Sequence, residues 1–197
     1  MYCMSKWKLC LIFLFLTGIA ALECYYLHRP GGAWSRVPKV VRITDDFYIA
    51  SQLRTENVPA LKRRGIKTIV DIRPDGEAAD QAPSAEIKTV SIGNGLGFHY
   101  IPVPHENIPF SAVEALDKAL SPAALPALLY CRSGRRALRL FALVQASRVD
   151  GPGCDAIMEM VRAAGFSADD LRDDINQRLS HRRKAPAADR SAPTANH

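Results

Sequence analysis

The sequence is poor in the residues that build metal sites and disulfide frameworks. It has five cysteines in 197 residues, an odd number at irregular spacing. Cys3, Cys10 and Cys24 lie in or beside an apolar segment at the amino end, which leaves Cys131 and Cys154 for the rest of the chain. There is no Cys-x-x-Cys pair and no pair of histidines at ligand spacing, which argues against a zinc site. No network of bridges is implied, although one bond between Cys131 and Cys154 stays open. The chemistry read below needs neither a metal nor an organic cofactor. Aromatic residues are missing from the basic cluster of His181, Arg182, Arg183, Lys184 and Arg190, so it is not a base-stacking surface. Residues 181–197 are expected to be a disordered basic tail, and no nucleic acid is expected as partner. Internal repeats are lacking too.

What is present is globular. Hydrophobic residues make up 48% and charged residues 23% of the chain, and the net charge of +6 favours an anionic partner. One long apolar run exists, residues 9–22, preceded by Lys6 and Lys8. Trp7 on one side and Cys24, Tyr25, Tyr26 and Leu27 on the other extend it to membrane-spanning length, with aromatic residues where interfacial belts form. A single-pass anchor over 1–27 is therefore expected, with a cleaved signal segment as the competing reading. Lys6 and Lys8 favour export of the remaining chain; Arg29, Arg36, Lys39 and Arg42 pull the other way. Residues 28–39, with a Pro-Gly-Gly stretch, read as a linker to a domain over 40–180.

Within that domain, β-like and helix-like patterns alternate. Strands are expected at 47–50, 67–72, 98–103 and 125–130. Helices are expected at 55–64 behind Thr55 as N-cap, at 83–90, and at 111–120 behind a capping box of Ser111 and Glu114. Further helices follow at 135–148, 155–164 and 168–179, the last opened by Ser167 and Asp170. The expected fold class is α/β, a mainly parallel central sheet flanked by helices. In such sheets ligands bind beyond the carboxyl ends of the strands, which puts the turns at 73–77, 104–110 and 131–136 on one rim.

The sequence Cys131-Arg132-Ser133-Gly134-Arg135-Arg136 lies between a strand and a helix. A loop of this kind turns successive backbone N–H groups inward and makes an anion nest at a helix N-terminus. A cysteine there stands in positive potential, which favours the thiolate. Gly134 permits the sharp turn. Arg136, in the first helical turn, can hold an oxyanion with two parallel bonds. Arg132, Ser133, Gly134 and Arg135 complete the candidate anion-binding loop. A thiolate beside an anion cradle is equipment for attack on phosphorus or on sulfur.

The stretches at 47–53, 65–70, 73–77, 100–103 and 130–134, with 163–166 beyond them, resemble the phosphatase-like domain of beta-lactamase-hydrolase-like proteins, within the dual-specificity protein phosphatase-like superfamily. The resemblance implies a cysteine-phosphatase fold, Cys131 as nucleophile, Arg136 as the phosphate-binding arginine and a phosphorylated protein or small molecule as substrate.

This chain departs from ordinary phosphatases at four points. Four residues rather than five separate Cys131 from Arg136, a loop length similar to that of rhodanese sulfurtransferases. Tyr130 stands in place of a histidine, and Ala137 in place of a hydroxyl residue. The loop at 104–109 contains no aspartate; His105, Glu106 and, on the neighbouring turn, Asp75 are the candidates for general acid. Three readings remain at this point: a cysteine-dependent phosphatase, a sulfurtransferase working through a Cys131 persulfide, and a non-catalytic anion-binding module.

Overall fold

The structure, a computed structural model, describes residues 38–105 and 107–184, with backbone alone at 183 and 184. The expected anchor at 1–27, nearly all of the linker, Glu106 and residues 185–197 lie outside the described residues. Among the described residues no helix is long and apolar enough to cross a membrane.

Five strands form one sheet: β1 (Val40–Arg42), β2 (Phe47–Ala50), β3 (Thr68–Asp71), β4 (Gly97–Tyr100) and β5 (Ala127–Tyr130). Their order is β1-β2-β5-β3-β4. β2, β5, β3 and β4 run parallel, and β1 pairs antiparallel with β2. The sheet is thus mixed, and the antiparallel edge strand is the element missing from the sequence expectation. β3 and β5 are central, and every residue in both is buried. Apart from Asp71, their apolar or β-branched character is that of parallel strands covered on both faces.

Among the described residues six α-helices cover the sheet: α1 (Val58–Arg63), α2 (Ser84–Gly93), α3 (Phe110–Ala119), α4 (Arg135–Ser147), α5 (Cys154–Ala163) and α6 (Arg172–Lys184). One face, with Val70, Leu129 and Cys131, shares a core with α3, α4, α5 and α6. Phe47 of β2 and Phe141 of α4 meet there with ring centroids 4.8 Å apart. Side chains alternate along a strand, so Ile69, Leu128 and Tyr130 belong to the other face; Leu61 of α1 and Ile87 of α2 are fully buried too. α4 is the central helix, with ten of its residues buried. Burying a Leu or Phe side chain contributes roughly 1.5–3 kcal/mol, so α4 is held by packing along most of its length.

Several boundaries differ from expectation for identifiable reasons. Thr55 does not cap a helix: residues Thr55–Asn57 form a 3-10 turn, and α1 starts only at Val58-Pro59. Asn57 Oδ1 instead accepts from the Arg54 N–H at 2.7 Å. The capping box of Ser111 and Glu114 does not form, because α3 starts one residue earlier, behind Pro109. α2 runs three residues past its expected end, to Gly93. α6 continues through the first residues of the expected tail, where Arg182 donates to the Arg148 and Pro152 carbonyls at 2.8 and 3.2 Å.

Candidate active site

β5 lies between β2 and β3, so its carboxyl end opens at the middle of the sheet rim, and Cys131 is its next residue. The chain must then reverse into α4 within three residues. Gly134 does this with φ +90°, and a Cβ at that position would stand 2.9 Å from Ile49 Cγ2 and 3.3 Å from the Ala50 carbonyl oxygen. Left-handed backbone and close approach together demand glycine. The Gly134 N–H donates to Cys131 Sγ at 3.2 Å. The Gln52 N–H donates to the Arg132 carbonyl at 3.2 Å, tying the loop to the chain that leaves β2. Cys131 is 1% exposed, and both Cys131 and Cys154 are free thiols.

Arg136 occupies the first turn of α4 and is buried. Its Nη1 and Nη2 donate to the two carboxylate oxygens of Glu77 at 2.8 and 3.2 Å, and Nη1 also donates to the Val103 carbonyl. Glu77 accepts a further bond from Arg73 Nε at 2.9 Å, while Arg73 Nη1 donates to Gln52 Oε1 at 2.8 Å. The Glu77 carboxylate thereby joins the turn after β3 to the first turn of α4, and Arg136 ties both to the chain after β4. Hydrogen bonds from Arg136 first, and then Arg73, hold the Glu77 carboxyl below the usual carboxylate range against a desolvation penalty.

Tyr130 donates its hydroxyl to Asp71 Oδ2 at 2.6 Å, across the central pair of strands. Asp71 Oδ1 accepts from the Arg73 N–H at 2.9 Å. Burial pushes the Asp71 carboxyl up to about 6, despite those two bonds. The same burial, with the Asp71 charge beside it, pushes the Tyr130 phenol upward.

Above Cys131 opens a cleft of about 720 Å³. His105, Asn107 and Ile108 line one side; Arg132, Ser133, Arg135 and Arg136 line the floor and mouth with Cys131. The last wall is Arg139 of α4 with Asp170, Leu171 and Asp174. The structure therefore gathers Cys131, Arg132, Ser133, Arg135, Arg136 and His105 around one space, with Gly134 as the backbone pivot. Asp75 is engaged elsewhere: its carboxylate accepts from the Ser84 N–H at 2.8 Å and the Ser84 hydroxyl at 2.6 Å, at the start of α2. Sequence reasoning missed the joining role of Glu77, the buried Asp71, and the approach of Arg139, Asp170 and Asp174. Of these only Arg139 left a signal, standing four residues after Arg135 on one helix face.

Comparison with known proteins adds identity to this geometry. A family model, Beta-lactamase hydrolase-like protein, phosphatase-like domain, matches residues 39–148. A beta-lactamase hydrolase-like protein of Agrobacterium fabrum is 32% identical over 108 residues, 55% of this chain and 25% of that protein. The chain spans about a quarter of the length of the curated relatives it matches. Among solved structures, a candidate phosphatase of Neisseria meningitidis is 31% identical with a TM-score of 0.61, covering 70% of this chain and 96% of its own. The core catalytic domain of the PP-IP phosphatase Siw14 of S. cerevisiae, solved with citrate, shares the fold at 20% identity with a TM-score of 0.55, over 71% of this chain and 85% of its own.

Proposed function

Because the chain belongs to the phosphatase-like domain family of the beta-lactamase hydrolase-like proteins, we propose that it is a cysteine-dependent phosphatase acting on phosphoesters. The observation that carries this reading is Cys131 at the floor of an arginine-lined cleft, with the Gly134 N–H directed at its sulfur.

In the proposed reaction the Cys131 thiolate attacks phosphorus, and the bond to the leaving oxygen breaks as the sulfur–phosphorus bond forms. Arg136 and the loop amides stabilise the equatorial oxygens of the transferring group. Glu77 presets the Arg136 guanidinium at the loop rather than leaving it free in solvent. His105 is the general acid we assign to the leaving oxygen, since it lines the cleft while Asp75 is committed to Ser84. Water then cleaves the phospho-cysteine, releasing phosphate and restoring the thiolate.

A second reading has its own support. The loop holds four residues between Cys131 and Arg136, and a small ring of amides suits a sulfane sulfur. A sulfurtransferase would move that sulfur from thiosulfate to the Cys131 thiolate, releasing sulfite, and pass it to an acceptor such as cyanide. Parallel assays of the full chain on an aryl phosphate and on thiosulfate with cyanide separate the two readings, with Cys131→Ser as the control. Phosphate release that disappears in that variant supports the first; thiocyanate formation without phosphate release would replace it with the second. Binding of phosphate with neither turnover would leave an anion-binding module.

For the segment at 9–22 we propose attachment to a membrane. Sedimentation of the full chain with membranes, abolished by deleting residues 1–27, is the expected result; a chain that stays in the supernatant removes the proposal.

A further inference from the structure

The cleft is larger and more basic than the transfer of one phosphoryl group requires. Arg136 and the loop amides suffice for a single transferring group, yet Arg132, Arg135 and Arg139 also line the space. Among the described residues no Phe, Tyr or Trp side chain lines it. Beyond Arg136, three arginines face two carboxylates, Asp170 and Asp174, which leaves the cleft net positive.

Arg135 and Arg139 stand four residues apart on α4, one above the other on the same face. Facing them, Asp170 grips Arg139 with two bonds, 2.8 Å to Nη1 and 2.6 Å to Nη2. A planar guanidinium fork that fits a carboxylate fits a phosphate equally well. The pair is not locked away from water: the Arg139 side chain is 20% exposed and that of Asp170 55%. An ion pair that wet contributes little, so an incoming anion can exchange for it at small cost. The wall carrying Asp170 and Asp174 also lies beyond residue 148, where the family match ends.

We propose that Arg139, one helical turn beyond the Cys131 loop, forms with Arg135 at the end of that loop a second anion subsite that seats a second phosphate of the substrate. Asp170 is its internal placeholder: the carboxylate fills the Arg139 fork until a substrate oxyanion replaces it. The proposal rests on the phosphatase reading and narrows it to small molecules bearing two or more phosphates. A singly phosphorylated peptide leaves the Arg139–Asp170 pair in place and gains nothing from the subsite.

Calorimetric titration of the full chain with inorganic phosphate and with pyrophosphate, at fixed ionic strength, tests this. A bidentate arginine–phosphate contact predicts pyrophosphate binding tighter than phosphate by about tenfold or more. Arg139→Gln should erase most of that preference. Asp170→Asn should widen the preference, because the competing carboxylate is gone; it also keeps the test decisive if Arg139→Gln fails to fold. Equal affinities in the unmodified chain, or a preference unmoved by Asp170→Asn, would overturn the subsite. A purely structural ion pair would lower the thermal midpoint in both variants and leave the preference unaltered. Aryl phosphate turnover measured alongside separates the two layers. Turnover with a flat preference removes the subsite alone, whereas the expected preference without turnover removes the catalytic reading and keeps the subsite.

Discussion

At the scale of single residues, Glu77 and Asp71 carry the site in opposite ways. Glu77 is the shared counter-charge of Arg73 and Arg136, whose side chains are 4% and 8% exposed. Glu77→Gln leaves two nearly buried guanidinium groups without a negative partner, and should cost about 3 kcal/mol in denaturant unfolding. Because the Glu77 carboxyl is held below its ordinary value of 4.5, its contribution is present above that pH and fades as pH falls through the folded value. Asp71 has the opposite sign. Its carboxyl is raised from 3.8 to about 6, so the stability it contributes is full below 3.8 and is lost as pH rises through 6. Relative to Asp71→Asn, the unmodified chain should lose about 2 kcal/mol between pH 4 and 7. Unfolding curves of the two proteins across that range check this, and parallel curves would show that Asp71 does not titrate as argued.

At the scale of elements, the strand–loop–helix unit of β5, residues 131–134 and α4 sets the geometry, and Gly134 is its pivot. Gly134→Ala combines positive φ with a contact of 2.9 Å against Ile49. It should cost about 2–3 kcal/mol, with aryl phosphate turnover falling at temperatures where circular dichroism still reports a folded chain. This unit was legible in the sequence because its signals are local: an apolar run, a cysteine, a glycine three residues on and an arginine five residues on. The caps were less legible. Ser111 and Glu114 have capping-box spacing, but Pro109 starts α3 earlier and overrides them. β1 offers three residues with no alternation to read, and it forms because β2 supplies an edge. The Glu77 bridge was also beyond local reading, since it joins residues 59 apart.

At the scale of the molecule, the segment after residue 148 is part of the core and one wall of the cleft. Ile157, Met158 and Val161 of α5 and Ile175 and Leu179 of α6 are buried in the same cluster as Leu138 and Phe141. A chain ending at residue 152 should therefore lose cooperative thermal unfolding; a sharp transition retained by that truncation would mean that residues 39–148 fold alone. Whole-molecule comparison confirms the family and the mixed α/β fold, while the loop length alone left two thiol chemistries open. The claim that joins all three scales is that the Cys131 sulfur takes up a phosphoryl group. Mass spectrometry of the full chain, quenched during turnover of an aryl phosphate, tests it most directly. The expected result is a species one phosphoryl group heavier, mapped to the peptide containing Cys131 and absent in Cys131→Ser. Phosphate release with Cys131 unmodified throughout, or an adduct one sulfur heavier after thiosulfate with no phosphoryl adduct from any phosphoester, would contradict it.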